Sequence, residues 1–179
     1  MSNQTYPIGT PGQPWDVAEK TEWRARQPRL RSHAGEVLAK IDALRDRFDV
    51  EQYGELDCAP DGIYPLLAIR SRDWDDALPT MLVTGGVHGY ETSGVQGALL
   101  FVERDAARYA GRANLLVVPC VSPWAYERIN RWNPDALDPN RNFKADSPVP
   151  ESAALLALLQ PLAGRIAMHI DLHETTDSD

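Results

Sequence analysis

The sequence is poor in cysteine, with only Cys58 and Cys120 among 179 residues. This number excludes a disulfide framework, and neither cysteine has a neighbour at the spacing of a metal-binding motif. Because Cys120 follows an apolar run, we expect its side chain to be a small hydrophobic member of the core.

Basic residues are also scarce, because 18 lysines and arginines face 26 aspartates and glutamates, which gives a net charge of -8. This balance argues against a sequence-independent attraction to nucleic acid or to an anionic membrane surface. Long apolar runs are lacking as well, and none approaches the roughly 20 residues of a membrane span. The polar N-terminus lacks the basic start and apolar middle of a signal peptide, so we expect a cytoplasmic protein.

The chain does contain enough apolar material for a core, since hydrophobic residues make up 43% of it. We expect residues 1–179 to form a single domain, with residues 1–14 as an extended arm. Hydrophobic periodicity and turn residues predict the other elements. The predicted helices are 16–27, one that begins at Ser32, 93–108 and 151–162, and the predicted strands are 49–56, 63–71, 80–84, 113–119 and 165–172.

The order of these elements predicts an α/β fold, in which helices cover both faces of a sheet. Residues 123–143 interrupt the pattern and are predicted to be a long irregular segment with a functional role. In such sheets, ligands bind beyond the carboxyl ends of the strands. Reactive side chains at those positions are therefore the candidates for a functional site.

His88 and Glu91 follow the predicted strand that ends at Thr84, within the run Gly85-Gly86-Val87-His88-Gly89-Tyr90-Glu91. An imidazole nitrogen and a carboxylate oxygen are both zinc ligands, and the glycines let the backbone turn sharply there. A third ligand is expected from a distant strand.

Two histidines near the last predicted strand are candidates for that third ligand, His169 and His173. Period-two alternation places both on one face of the strand together with Asp171, so either histidine could serve. We favour His173 because it ends the strand. Asp171 is then the expected acceptor for the outer ring nitrogen of a metal-bound histidine.

Three motifs in this order resemble the zinc carboxypeptidases of the M14 type, including their aspartoacylase and succinylglutamate desuccinylase relatives. The resemblance covers residues 82–176, about half of the chain. The motifs are Gly86-Val87-His88-Gly89-Tyr90-Glu91, Asp138-Pro139-Asn140-Arg141-Asn142-Phe143 and Asp171-Leu172-His173-Glu174. The family implies a three-layer α/β/α fold with a mixed, mostly parallel central sheet.

The resemblance also implies roles for individual residues. His88, Glu91 and His173 would bind Zn2+ and leave a fourth position for water. Asn140 and Arg141 match the pair that binds the substrate's carboxylate, for which a guanidinium offers a bidentate fork. An arginine between these motifs stabilises the oxyanion in the family. Arg131 is our choice for it, and Arg128 is the alternative.

One part of the family pattern has no counterpart in the sequence. The family's general base is a glutamate on a strand downstream of the third zinc ligand, whereas this sequence ends at Asp179. We therefore expect the chain to be either the N-terminal portion of a longer enzyme or a product that ends early, and to hydrolyse poorly by itself. Glu174 is a poor substitute, because neighbouring strand residues point to opposite faces.

The expected activity is hydrolysis of an amide next to a free carboxylate, in a small peptide or in an N-acyl amino acid. The alternative is a non-catalytic module that binds zinc or a carboxylate. A metal-free α/β hydrolase is disfavoured, because the Gly-x-Ser-x-Gly nucleophile motif is lacking. Trp124, Tyr126 and Trp132 either line the pocket or pack within the loop, and His33 is expected at the surface.

Overall fold

A five-stranded mixed sheet forms the centre of the computed structural model, which describes residues 8–174. The strands lie in the order β1-β2-β4-β3-β5 across the sheet. Their bounds are β1 Asp49–Asp57, β2 Ile63–Arg70, β3 Thr80–Gly85, β4 Asn114–Val118 and β5 Ile166–Leu172. Strand β2 is antiparallel to both β1 and β4, while β3 is parallel to β4 and β5. Four of the five strands therefore run in one direction, as the α/β prediction requires.

The five predicted strands all form. Strands β2 to β5 are apolar runs, whereas β1 is largely polar and pairs with β2 along its length. The burial of β4 is complete along its length, which is typical of a central parallel strand covered on both faces. The turn predicted at Pro60-Asp61-Gly62 connects β1 to β2, and Gly62 takes a φ of 129° there. Only glycine adopts such a backbone conformation without strain.

Helices cover the two faces of the sheet and make the three-layer architecture. On one face, α3 (Thr92–Arg104) packs with the N-terminal helical segment, and Val95, Leu99 and Val102 are buried there. On the opposite face, α5 (Pro150–Leu159) buries Leu155 against Leu82 and Leu116. Because buried apolar surface stabilises a fold by roughly 25 cal/mol per Å², both interfaces hold helices against the sheet.

The N-terminal segment departs from the sequence prediction in two places. Helix α1 (Val17–Ala25) begins as predicted at Asp16, whose side chain accepts a hydrogen bond from the Ala18 N–H. The helix expected to begin at Ser32 is instead a π-helical turn, Ala34–Leu38, that continues into α2 (Ala39–Asp42). Within the expected arm, residues 1–7 lie outside the described residues, and Ile8 is buried against Trp23 rather than loosely held.

The segment 123–143 is more regular than predicted. It contains helix α4 (Pro123–Arg128) and a 3-10 turn, Pro139–Arg141, which carries the second of the three motifs. These short elements were not predicted, because the three prolines of the segment favoured an irregular conformation and no helical repeat was visible. Two of them, Pro123 and Pro139, occupy the first turn of a helix, where a missing N–H has no cost.

Within residues 8–174, none of the helices combines the length and the apolar character that crossing a bilayer demands.

Candidate metal centre

The ends of two neighbouring parallel strands bring the first and third motifs together. Strand β3 ends at Gly85, which is in register with Leu172 at the end of β5. His88 and Glu91 lie in the turn between β3 and α3, and His173 follows β5 directly. The carboxyl ends of parallel strands share one edge of the sheet, so residues 82 positions apart in the chain become neighbours.

Glycines make this close packing possible. A Cβ atom on Gly94, in the first turn of α3, would lie 2.2 Å from the carbonyl oxygen of Leu172. A Cβ atom on Gly89 would lie 2.0 Å from the carbonyl carbon of Ala125 in α4. Any side chain at these positions would push the helix or the turn away from its neighbour. The glycines therefore fix where the candidate ligands lie.

His88, Glu91 and His173 each offer one ligand atom, and these atoms all lie within 4.8 Å of one another. The Nδ1 of His88 is 2.8 Å from Oε1 of Glu91, and the Nε2 of His173 is 3.7 Å from the same oxygen. The two imidazole rings stand nearly perpendicular at 89°, with centroids 5.1 Å apart. His88 and Glu91 are fully buried, whereas the His173 side chain is 31% exposed. The cluster is thus open on the side of His173.

The outer nitrogens of both imidazoles also face carboxylates. The Nε2 of His88 is 3.0 Å from Oδ1 of Asp138, and the Nδ1 of His173 is 2.7 Å from Oδ2 of Asp171. A neutral imidazole carries one N–H, so it can donate to its outer carboxylate while its other nitrogen turns a lone pair toward Glu91. In that tautomer, the inner nitrogens of the two imidazoles and the buried Glu91 carboxylate form a set of N and O donors that suits a divalent cation. The residues present therefore fit a divalent metal ion.

His169, the rival for the third ligand, takes a different position. Its Nε2 lies 2.8 Å from the hydroxyl of Thr84, and that hydroxyl donates to Oδ1 of Asp171 at 2.7 Å. Thr84 has one hydroxyl proton, so it accepts from His169 while it donates to Asp171. His169 therefore supports the carboxylate behind His173 and lies one layer away from the cluster.

Arg131 lies beside the cluster. Its Nε and Nη2 bind Oδ2 of Asp138 at 3.1 and 3.0 Å, and its Nη1 donates to the Tyr90 hydroxyl at 3.2 Å. Burial raises the pKa of Asp138, but hydrogen bonds from His88 and Arg131 and the positive charge of Arg131 oppose burial, and the net effect is a pKa below the usual value. The Tyr90 ring is stacked on the His88 ring, with centroids 5.7 Å apart. The side chain of Arg131 remains 38% exposed, so it can still reach a ligand.

Arg128, the alternative to Arg131, is buried elsewhere. Its Nη2 is 3.1 Å from Oδ1 of Asp61, and its Nη1 donates to the Tyr64 hydroxyl at 3.3 Å. Its guanidinium also lies 4.3 Å from the ring centroid of Trp124. With only 5% of its side chain exposed, Arg128 stabilises the packing of α4 against the β1–β2 connection.

Asn140 and Arg141 lie on the 3-10 turn next to Asp138. Oδ1 of Asp138 accepts the Asn140 N–H at 2.9 Å as well as the His88 contact, so the turn is attached directly to the candidate ligand. The hydroxyl of Ser152 in α5 donates to the Pro139 carbonyl at 2.9 Å and anchors the turn from below. Both Asn140 and Arg141 are exposed.

Sequence reasoning placed several other side chains less well. His33 is buried, not at the surface, and burial lowers its pKa to about 4. Trp124 and Tyr126 are fully buried, so they pack within the core and do not line a pocket, whereas Trp132 is 40% exposed. The hydroxyl groups of Tyr90 and Thr84 were missed, because neither residue type signals a metal site by itself.

The predicted burial of Cys120 is confirmed. Cys58 and Cys120 are buried free thiols, and burial raises the pKa of each to about 12. The Glu174 carboxylate accepts a hydrogen bond from the Ser93 N–H in the first turn of α3. That contact occupies Glu174 with a helix terminus, which agrees with its rejection as a general base.

With this geometry described, the family can be assigned. Residues 77–179, more than half of the chain, match the succinylglutamate desuccinylase/aspartoacylase catalytic domain. The chain belongs to this family. A search of curated protein sequences gave no match.

Solved structures show the same fold. A proposed metallopeptidase from Shewanella denitrificans superposes with a TM-score of 0.66 at 25% identity, covering 77% of this chain and 52% of its own. Bovine thrombin-activatable fibrinolysis inhibitor, in complex with a tick carboxypeptidase inhibitor, superposes with a TM-score of 0.61 at 17% identity, covering 87% and 63%. A metallo-carboxypeptidase from Burkholderia cenocepacia gives 0.57 at 18% identity, covering 80% and 40%. The chain thus has the metallopeptidase and carboxypeptidase-like hydrolase fold and spans about half the length of the first of these relatives.

Proposed function

We propose that this chain carries the zinc site of a hydrolase that cleaves an amide next to a free carboxylate, in a peptide or in an N-acyl amino acid. The observation that carries the proposal is the convergence of one atom each from His88, Glu91 and His173 within 4.8 Å. Two histidines and a glutamate that leave one position open are the ligand set of catalytic zinc in carboxypeptidase A. The family and the metallopeptidase neighbours support the same reading.

Zinc, when bound, acts as a Lewis acid on a carbonyl and lowers the pKa of a bound water toward about 7. The residues of the chain prepare the site for that chemistry. Asp138 and Asp171 hold the outer ring nitrogens, so the inner nitrogens of both histidines keep their lone pairs for the metal. The burial of His88 and Glu91 excludes bulk water from that side of the site.

Arg131 stabilises the oxyanion in this proposal. It lies beside His88 through Asp138 and Tyr90, it keeps its charge, and it is partly exposed. Donors that are fixed in advance where negative charge develops typically contribute 10²–10³-fold to rate. Asn140 and Arg141, exposed on the adjoining turn, bind the substrate carboxylate through a planar fork.

A second candidate function is metal or carboxylate binding without turnover. It is favoured by the carboxylates around the cluster, since Asp138, Asp171 and Glu174 are each already engaged in hydrogen bonds. These hydrogen bonds direct the three carboxylates toward protein partners, so they are less suited to take a proton from a metal-bound water. A well-placed general base contributes about 10²–10⁴-fold, so the 179-residue chain is expected to turn over slowly.

Zinc stoichiometry tests the metal centre. Wild-type protein should bind about one zinc per chain, and His88→Ala and His173→Ala should each abolish stoichiometric binding. His169→Ala is the matched control, because His169 sits one layer behind, and it should retain the metal. Equal metal content in wild type and His88→Ala would refute the site. Loss in His169→Ala with retention in His173→Ala would reassign the third ligand.

Turnover separates the two candidate functions. The 179-residue chain is assayed, with and without zinc, on a panel of N-acyl amino acids and short peptides. Zinc-dependent hydrolysis that is lost in Arg131→Ala supports the hydrolase. Stoichiometric zinc binding with no hydrolysis of any substrate favours the binding module.

A further inference from the structure

An arginine from the N-terminal segment, outside the region that matches the family, contacts the turn that carries the candidate ligand Glu91. Arg31 lies between α1 and the π-helical turn, before residue 77 where the family match begins. Its guanidinium reaches three groups that belong to two separate elements around the metal site. Sequence reasoning gave this residue no role, because its partners lie 58 to 95 positions away in the chain.

Two of the three hydrogen bonds of Arg31 hold the ligand turn, one at each end. Its Nη2 donates to the carbonyl of Gly89 at 2.8 Å, and its Nη1 donates to the Thr92 hydroxyl at 2.5 Å. Gly89 and Thr92 bracket Glu91, with Gly89 directly after His88. The arginine fork therefore spans the four residues that position both ligands of the first motif.

The third hydrogen bond ties the same guanidinium to helix α4. Its Nε donates to the carbonyl of Tyr126 at 2.6 Å, and the guanidinium carbon lies 3.8 Å from the centroid of the Tyr126 ring. Tyr126 is completely buried, so its ring restricts the position of the Arg31 guanidinium that stacks on it. The Tyr126 carbonyl also accepts the Ile129 N–H at 3.3 Å, and a cation is stabilised beside the carbonyls of a last helical turn.

The backbone around Arg31 is itself anchored, so the fork has little freedom. The N–H groups of Leu30 and Arg31 both donate to the Glu127 carbonyl, at 2.7 and 3.2 Å, and the His33 N–H donates to the Glu127 carboxylate at 3.0 Å. A pre-ordered guanidinium loses less entropy for each hydrogen bond that it forms. Arg31 is therefore a rigid brace between α4 and the turn, and not a flexible surface side chain.

We propose that Arg31 is a positioning residue of the metal centre, which fixes the turn from Gly89 to Thr92 against α4 so that His88 and Glu91 face His173. The proposal rests on the proposed metal site and adds a residue to it. Outer partners of metal ligands typically change metal affinity 10–100-fold when they are removed. Because Arg31 binds the Gly89 carbonyl and the Thr92 hydroxyl and not a ligand itself, the lower end of that range, about tenfold, is expected.

The test compares zinc affinity, measured by competition with a chromogenic chelator, in wild type and three full-length variants. Arg31→Met keeps the apolar stem and removes all three donors, so it should weaken zinc binding about tenfold. Arg31→Lys keeps the charge but cannot donate through a planar guanidinium, so its zinc affinity should lie between those of the wild type and Arg31→Met. Visible absorption of the Co2+-loaded proteins is the second readout, and Arg31→Met should change the band shape because the ligands are held less precisely.

Arg29→Met is the matched control. Arg29 lies two residues away and also binds the α4 region, with its Nε 2.7 Å from the Glu127 carboxylate and its Nη2 3.1 Å from the Tyr64 hydroxyl. These contacts do not touch the ligand turn. Arg29→Met should lower the unfolding temperature of the metal-free protein and leave zinc affinity and the Co2+ spectrum unchanged.

Each outcome decides something. If wild type binds zinc and Arg31→Met binds it equally well with the same Co2+ spectrum, the positioning role is refuted and the metal site stands. If Arg29→Met loses as much affinity as Arg31→Met, Arg31 has only a general structural role. If Arg31→Met does not fold, the affinity and spectrum of Arg31→Lys decide by the same criteria. If wild type binds no zinc, the proposed function fails and the role of Arg31 fails with it.

Discussion

Two buried titratable residues away from the metal cluster, His33 and Glu151, have folded-state pKa values displaced in a way that affects stability. Burial lowers the pKa of His33 from 6.5 to about 4, although the negative charge of Glu127 opposes the shift. Burial raises the pKa of Glu151 from 4.5 to about 7, and the nearby Asp135 carboxylate adds to that shift. Both side chains are therefore neutral in the folded protein over a range where they are charged in the unfolded chain.

The signs of the two contributions are opposite. Between pH 4 and 6.5 the unfolded state binds an extra proton at His33, so this contribution to stability is lost as the pH falls. Between pH 4.5 and 7 the folded state holds an extra proton at Glu151, so that contribution is lost as the pH rises. Over the shared range the two slopes cancel, and the wild type should show a flat stability profile from these groups.

Glu151→Gln should uncover the contribution of His33. The variant lacks the Glu151 contribution, which decreases as the pH rises. Its free energy of unfolding should therefore rise from pH 4.5 to 6.5 by up to about 1.4 kcal/mol per pH unit. At pH 8 it should exceed the wild type by an amount on the order of 3 kcal/mol, because a neutral amide replaces a buried carboxylate. Urea unfolding at pH 4.5, 6.5 and 8 measures this. Parallel profiles for variant and wild type would contradict the assigned titration of Glu151.

The ligand residues were predictable from the sequence, and their supporting residues were not. His88, Glu91 and His173 belong to local motifs at strand ends, so residue type and spacing were sufficient to propose them. The contact of Arg31 with Gly89, and the burial of His33, depend on how a segment 58 residues away folds over α4. Such contacts leave no periodic signal in a single sequence, because one long polar side chain in a loop resembles any other.

At the scale of whole elements, the packing of α3 against β5 sets the distance between the first and third motifs. Gly94 lies where these elements touch, and Gly97 lies one turn further along the same helix. A Cβ on Gly94 would be 2.2 Å from the Leu172 carbonyl oxygen, whereas a Cβ on Gly97 would meet nothing closer than the Leu172 Cδ1 at 3.8 Å. A side chain at position 94 would therefore clash with β5, whereas a small side chain at position 97 has room.

This difference predicts opposite effects for one substitution. Gly94→Ala should destabilise the protein by about 1–3 kcal/mol through overpacking, and it should weaken zinc binding because Leu172 precedes His173. Gly97→Ala should be neutral or stabilise by about 0.5–1 kcal/mol, since alanine favours a helix and has room there. Urea unfolding and chelator competition on both variants are the measurements. Similar losses of stability in the two would mean that α3 and β5 are not in close contact.

Strands were easier to predict than short helices for a physical reason. Strands β2 to β5 are apolar runs that are visible directly in the sequence, and the burial of β4 along its whole length follows from its composition. Helix α4 has six residues, too few for an amphipathic repeat, and all six are buried. Tertiary packing, not helix propensity, must stabilise such a short helix. The bounds of the segment 123–143 were therefore predictable, but its internal structure was not.

At the scale of the whole molecule, the sheet is open at β5. Within residues 8–174, β5 is paired with β3 on one side only, and its Met168 and Ile170 side chains are 51% and 41% exposed. An edge strand with free backbone N–H and C=O groups and exposed apolar side chains is a template for pairing with another chain. Charge repulsion along β5 does little to oppose such pairing, because residues 166–172 contain one acidic residue and no lysine or arginine.

The 179-residue chain should therefore associate through β5 in a concentration-dependent way, and Met168→Lys should reduce that association. A lysine on an edge strand adds a charge that must be desolvated when a second strand pairs, which is how natural sheets protect their edges. Met168 lies on the strand face opposite His169, Asp171 and His173, so the metal cluster should remain intact.

Val17→Lys is the control, because Val17 is 80% exposed on α1, which is not part of the sheet. Sedimentation velocity across a concentration series is the measurement. A monomeric wild type, or an equal reduction by Val17→Lys, would show that the β5 edge does not drive association.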